Sequence, residues 1–197
     1  MKKILVATHN KHKLQEFRFV LEPLGIEVVG ADDVHLPDCD ETGTTFQENS
    51  LQKALWGMEH CQLPTIADDS GLCIHALNDE PGLFSARFAK ENGGYPNTFK
   101  VLFEKLKKQK DWTAHFTCCL CLVTPKKEPQ FFIGNVNGHL TTKPDSSLSD
   151  FGYDPIFVPD GFDKPFGALP AQTKKNLSHR GRALELLIAY LKDNPLG

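Results

Sequence analysis

The stretch that most restricts the fold is KILVAT, residues 3–8, which runs directly into HNKHK. A continuous apolar run without alternation suits a strand buried on both faces, and such strands belong to sheets covered by helices. Beyond the polar turn, Leu14, Phe17, Val20 or Leu21, and Leu24 recur at helical spacing, with Asn10 placed as the N-cap. The chain therefore opens as strand, polar turn, helix.

Further along, Thr45 and Glu48 have capping-box spacing ahead of a helix from about Phe46 to Met58 that would bury Phe46, Ala54, Leu55 and Met58. PTIADD is a short strand, and LCIHAL continues in extended form past a Ser-Gly step. NDEPGLFSARF reads as loop, and Asn97 reads as the cap of a helix carrying Phe99, Leu102, Phe103 and Leu106. TAHFTCCLCLV and QFFIGNV are strands joined through TPKKEP, KPDSSLSDFGYDP is loop, and IFV is a short strand. Ser178 caps a last helix with Leu184, Leu187, Ile188 and Leu191. No linker, repeat or low-complexity segment divides the pattern, so the expectation is one α/β domain over 1–197 with a sheet that is partly antiparallel.

Charge narrows the partners. The 22 basic and 25 acidic side chains give a net of −3, which argues against a broad basic surface for nucleic acid but leaves room for a local basic pocket. No apolar run approaches the ~18 residues of a membrane span. The apolar stretch in MKKILVATHN is too short for a signal peptide, so a cytoplasmic location is expected, with no membrane partner. Of the six cysteines, those in CCLC lie in a strand-like run where neighbouring thiols point to opposite faces, and free core thiols are favoured over metal or redox use.

Four polar clusters sit at the ends of apolar elements. THNKHK places Lys11 and Lys13 at a helix N-terminus, where backbone N–H groups favour an anion; it is either a phosphate site or a solvated first turn. DETG carries Glu41, and ADDSG carries Asp68 and Asp69 side by side. A magnesium ion, which takes oxygen ligands, would offset the repulsion of that pair; equally, one Asp could cap a turn while the other faces water. The fourth cluster runs from DFGYDP to SHRGR, with aromatic faces, a carboxylate, and Lys174, Lys175, His179 and Arg180. Basic groups for phosphates, carboxylates for a metal and aromatics for a base are together the parts of a metal–nucleotide site.

ATHNKHKLQEF, ETGTTFQENSLQKA, IADDSGL, PGLFSARF, FGYDPIF and SHRGRAL occur in the order seen in the inosine/xanthosine triphosphate pyrophosphatase family, the Ham1/RdgB-like non-canonical purine nucleotide phosphatases, which the chain resembles from about residue 3 to 191. The resemblance implies a single bilobed α/β domain with a long central mixed sheet flanked by helices, an active site in the cleft between lobes, and a homodimer. It implies Mg2+-dependent hydrolysis of ITP, dITP and XTP to the monophosphate and pyrophosphate. It assigns Asp69 as the catalytic acid residue, and Glu41 and Asp69 as metal ligands. Thr8, Asn10 and Lys13 match the phosphate-binding turn, and with them His9, Lys11 and His12 are taken as substrate-binding. Ser70 matches a neighbouring substrate contact, Phe151, Gly152, Tyr153 and Asp154 the base-binding stretch, and His179 and Arg180 the purine-reading step. Asp68 is an auxiliary candidate that would position a second metal, the water or the loop.

Two positions depart from the family pattern. His9 stands where glycine is frequent, and Thr173 stands where glutamate precedes the lysine; Lys174 keeps that lysine's distance from Arg180 and takes its role, with Lys175 as the fallback. Three other classes fit less of the chain: a Maf-type pyrophosphatase with another base preference, a non-catalytic nucleotide sensor, and a metal-dependent nuclease.

Overall fold

The computed structural model of the protein describes residues 2–142, 144 and 152–196. Phe151 and most of the loop expected before it lie outside the described residues. The fold is mixed α/β. Among the described residues, strands β1 (Lys2–Val6), β2 (Ile26–Gly30), β3 (Thr65–Ile74), β4 (Glu80–Pro81), β5 (Thr113–Val123), β6 (Gln130–Leu140) and β7 (Phe157–Pro159) form one sheet. Its order is β2-β1-β3-β5-β6-β7, with β4 paired to β3. β1 is parallel to β2 and β3, whereas β4 on β3 and β7 on β6 are antiparallel, so the sheet is mixed.

The helices are α1 (Lys11–Leu21), α2 (Phe46–Cys61), α3 (Ser85–Glu91), α4 (Tyr95–Leu106), α5 (Ala171–Leu177) and α6 (His179–Asp193). None of the described helices is long and apolar enough to cross a membrane. The chain divides into two compact units, the first comprising Met1–Asp69, Cys118–Ile133 and Arg182–Gly197, the second Ser70–Thr117 and Gly134–Gly181.

In the first unit, the doubly buried character of KILVAT is realised: Ile4, Leu5 and Val6 are fully or almost fully buried. Ile4 and Val6 join Phe17 and Leu21 of α1 and Leu184, Leu187 and Leu191 of α6 in one core cluster. Each such side chain contributes about 1.5–3 kcal/mol relative to leaving it in water. Cys118 lies in that cluster, Cys121 in a separate one with Ala54 and Ala67, and all six cysteines are free thiols. The second unit has its own core, in which Leu72 and Ile74 of β3 meet Phe99, Leu102 and Leu106 of α4, Phe116 of β5 and Phe157 of β7.

Local signals placed several helix ends well. The Asn10 carboxamide accepts from the N–H groups of His12 and Lys13 at 3.0 and 3.2 Å, and α1 begins at Lys11. Thr45 Oγ1 accepts from the N–H of Glu48 at 3.1 Å. The reciprocal half of the capping box closes one residue earlier, because Glu48 Oε2 accepts from the Thr44 N–H at 2.6 Å. The Ser178 hydroxyl accepts from the Gly181 N–H at 3.0 Å ahead of α6.

Other expectations are corrected. Residues 85–88, the end of the stretch read as loop, open α3; the Pro-Gly punctuation of NDEPG leads into a short 3-10 turn over Gly82–Phe84, and the helix starts directly behind it. Gly94, not Asn97, is the N-cap residue of α4, which begins at Tyr95 with Pro96 in its first turn, a position where the missing N–H costs nothing. Leu24 lies in a 3-10 turn beyond α1, and β2 and α5 are additional elements.

The buried face of α2 is also rotated from the expected one. Asn49, Ser50, Ala54 and Gly57 are buried, while Leu55 is exposed and Phe46 and Met58 are only half-buried. Gly57 is the contact point: a Cβ there would stand 2.9 Å from both Leu5 Cδ2 and Thr65 Cγ2. Only glycine lets α2 approach β1 and β3 this closely, and that approach turns a polar strip of α2 toward the end of β3.

Candidate active site

In the first unit, three elements meet around the carboxylates of β3. Consecutive strand residues face opposite sides, so Asp68 and Asp69 are satisfied by different helices. Lys13, in the first turn of α1, donates to Asp68 Oδ2 at 2.8 Å. On the other side, Asn49 Nδ2 donates to Asp69 Oδ2 at 3.1 Å, and Lys53 Nζ lies 3.4 Å from Asp69 Oδ1. Both Asp side chains are buried, and their adjacency is tolerable because each has its own cation.

Glu41 belongs to this constellation. Its Oε1 lies 2.6 Å from Lys53 Nζ, so a single ammonium bridges Glu41 and Asp69. The loop carrying Glu41 is fastened to α2 at two points. Asn49 Oδ1 accepts from the Gly43 N–H at 2.8 Å, and Gln52 Oε1 accepts from the Thr42 N–H at 3.1 Å. Asn49 thus ties the loop to Asp69 through one side chain. Gly43 must lack a side chain, since a Cβ would lie 2.6 Å from Asn49 Oδ1.

Burial pushes the Asp69 carboxyl up to about 6, against the opposing pull of Lys53; Glu41 and Asp68 add to the rise. Burial alone would lower Lys53, but the surrounding charges of Asp69, Asp68 and Glu41 outweigh it and raise the ammonium above its ordinary value. Lys53 therefore stays charged, and the metal-free site contains an unusually basic buried carboxylate.

A cavity of about 220 Å³ opens beside these groups, lined by Thr8, His9, Lys13, Glu41, Lys53 and Asp68 among others. Thr8 Oγ1 accepts from the Asn10 N–H at 3.2 Å, so Thr8 and Asn10 shape the turn that presents the N-terminus of α1. His9 lies between Asp32, 2.6 Å from Nδ1, and Asp38, 3.4 Å from Nε2. Lys11 and His12 are exposed on the first turn of α1. Seven of the expected residues, Thr8, His9, Asn10, Lys13, Glu41, Asp68 and Asp69, are therefore gathered in one unit with the cavity.

A hard divalent cation fits this donor set. The carboxylates of Glu41 and Asp69 already converge on one positive centre, the Lys53 ammonium, and both offer the oxygen ligands that Mg2+ takes.

Lys11 and His12 belong to the same first unit, whereas Ser70, Gly152, Tyr153, Asp154, Lys174, His179 and Arg180 belong to the second. Ser70 is half-buried at its first position, directly after Asp69 in β3. Gly152 adopts φ +59°, a left-handed conformation suited to glycine. Tyr153 does not offer an open face: it is buried, its hydroxyl donates to the Ser85 carbonyl at 2.7 Å, and its ring stands edge-on to Tyr95. It holds the turn in place from below. Asp154 is ion-paired with Lys174, both largely buried, on the turn and α5 respectively. The His179 ring stacks on Phe116 with 4.8 Å between centroids, and Arg180 is half-buried beside it in sequence.

The sequence reading missed Asn49 and Lys53. They lie four residues apart behind the Thr45 cap, hence on one helical face, but that face is polar. Placing the apolar residues inward had put it in solvent.

This chain is similar to known proteins along nearly its whole length. The sequence profile of the Ham1 family, described by that name, matches residues 4–190. The chain belongs to the Ham1 family. It is 39% identical over 201 residues to a dITP/XTP pyrophosphatase of Brucella melitensis, covering 93% of this chain and 90% of the relative. Among solved structures, a HAM1 protein from Coxiella burnetii superposes with a TM-score of 0.92 at 36% identity, over 98% of this chain and 100% of its own. The Ham1 protein of Staphylococcus aureus gives 0.90 at 35% identity with the same coverage.

Proposed function

We propose that this Ham1-family chain hydrolyses non-canonical purine nucleoside triphosphates, namely ITP, dITP and XTP, to the monophosphate and pyrophosphate, and so clears them from the nucleotide pool. The observation that carries this reading is the convergence of Glu41, Asp69 and Lys53 beside a cavity that also receives Lys13 and the N-terminal turn of α1. Relatives such as the dITP/XTP pyrophosphatase of Brucella melitensis support the substrate class. A homodimer is part of the same proposal and rests on the resemblance.

Phosphate oxygens would be held by Thr8, Lys13 and the backbone of the α1 N-terminal turn, where the helix dipole favours negative charge. Glu41 and Asp69 would hold Mg2+, which when bound balances charge on the phosphates and on the pyrophosphate leaving group. Asp69 Oδ1 or Oδ2 takes the proton of the attacking water, which is itself more acidic beside a bound cation. Asn49 fixes the rotamer of Asp69, and Asp68, held by Lys13, orients the phosphate-binding turn. Lys174, or Lys175, would supply further positive charge. Base selection is assigned to Gly152, Asp154, His179 and Arg180. The Arg180 guanidinium can only donate, which suits the O6 carbonyl of hypoxanthine or xanthine and not the amino group of adenine.

The test is pyrophosphate release from ITP, XTP, GTP and ATP with and without Mg2+. Rapid, Mg2+-dependent turnover of ITP and XTP over the other two is expected. Equal turnover of all four, or preference for a canonical base, would move the chain to another pyrophosphatase class.

A further inference from the structure

A second cluster of ligating side chains lies in the second unit and takes no part in the reaction proposed above. His75 opens the 3-10 turn that follows β3, Asp79 comes directly after its Asn78 cap in a left-handed conformation at φ +63°, with its N–H bonded back to the Ile74 carbonyl, and His115 lies on β5. One potential ligand atom from each lies within 4.8 Å of the other two. His75 and Asp79 are exposed and His115 is half-buried, so the group is open to ions from solution.

The hydrogen bonds around His75 settle which of its nitrogens points inward. Asp111 Oδ1 accepts from the Thr113 hydroxyl at 2.6 Å and from the Thr113 N–H at 2.8 Å. The Thr113 proton is thereby committed to Asp111, and Thr113 Oγ1, 2.8 Å from His75 Nδ1, must accept from it. His75 is held as the Nδ1–H tautomer, with the lone pair of Nε2 directed at His115 Nδ1, 2.9 Å away. A carboxylate acting through a hydroxyl on the far nitrogen of a histidine is the outer-shell arrangement that orients metal-binding imidazoles.

We propose that His75 Nε2, His115 Nδ1 and the Asp79 carboxylate form a binding site for a borderline divalent transition metal of the Zn2+ class, separate from the oxygen-lined site of Glu41 and Asp69. Two imidazoles and one carboxylate are a donor set that zinc accepts, with water completing four-coordination, and that Mg2+ does not prefer. Ligand nitrogens and oxygens about 2.1 Å from a tetrahedral ion are about 3.4 Å from one another, so small side-chain rotations close the present arrangement. On binding, neutral His115 changes tautomer: its proton leaves Nδ1 for solvent while Nε2 takes one up, so the Nδ1 lone pair goes to the metal with no net proton release. The ion then fastens the turn after β3 to β5.

The test titrates chelator-stripped, full-length protein with Zn2+ by calorimetry, in millimolar Mg2+ to saturate hard-cation sites. Wild type is expected to take up one equivalent that His115→Ala and Asp79→Asn both lose. The second variant sits at an exposed turn and keeps the side chain's shape, so a loss there does not reflect unfolding. Thr113→Val, which removes no ligand, is expected to bind about 10–100-fold more weakly. Co2+ in place of Zn2+ should give visible ligand-field bands without the near-ultraviolet charge transfer of a thiolate. Absence of uptake by wild type, uptake unchanged in His115→Ala and Asp79→Asn, or a thiolate spectrum would each overturn the proposal.

Discussion

The ammonium of Lys53 and the carboxylate of Glu41 meet at 2.6 Å, and the same ammonium reaches Asp69. A lysine therefore occupies the charge-balancing position between the two proposed metal ligands. Replacing it with methionine would leave the buried Asp69 carboxylate and the partly exposed Glu41 carboxylate facing each other without their shared cation. Breaking a buried pair by removing one partner costs about 3–5 kcal/mol, and the partial exposure of Glu41 reduces this to about 2 kcal/mol. Lys53→Met is expected to melt earlier without metal and to be raised further by Mg2+ than wild type. Thermal unfolding with and without Mg2+ checks this; equal Mg2+ shifts in the two proteins would count against a shared cation position.

Asp69→Asn is expected to lower kcat for ITP by about 10²–10⁴-fold while keeping the fold, because the amide preserves shape but cannot accept the proton. Steady-state kinetics paired with circular dichroism decide it. Turnover within a few-fold of wild type would shift the base role to another group.

The same residue makes metal-free stability depend on pH. Its folded-state value of about 6 lies above the ordinary 3.8, so between those values the folded chain holds a proton that the unfolded chain has released. Stability is then lost as pH rises through that window, with the full penalty above it. For a group this buried the penalty is on the order of 2 kcal/mol. The melting temperature of metal-free wild type should fall relative to that of Asp69→Asn between pH 4 and about pH 7. A constant difference between the two proteins across that range would contradict the burial argument.

Arg180→Ala is expected to lower kcat/KM for ITP and XTP much more than for ATP. Losing a hydrogen bond from a charged donor is worth roughly 1.5–3 kcal/mol, one to two powers of ten. A uniform fall across the three nucleotides would instead give Arg180 a phosphate-binding or supporting role.

Much of the fold was written locally. Asn10, Thr45 and Ser178 announce helices because an N-cap acts on backbone groups two or three residues away, and KILVAT announces a buried strand because both its faces are apolar. The motif order also carried the family. The sequence alone therefore determined the α/β class and the starts of α1, α2 and α6, and it singled out Glu41, Asp68 and Asp69 as candidates. It did not determine the environment of those acids. Whether Asp68 and Asp69 face water, a metal or a lysine depends on residues 55 and 16 positions away in the chain, Lys13 and Lys53. The inward turn of the polar strip of α2 depends on how closely Gly57 lets the helix approach β1 and β3. Hydrophobic periodicity misses that strip because Asn49 and Lys53 are buried for the charge they meet, not for the water they avoid. Only the tertiary structure brings that charge to them.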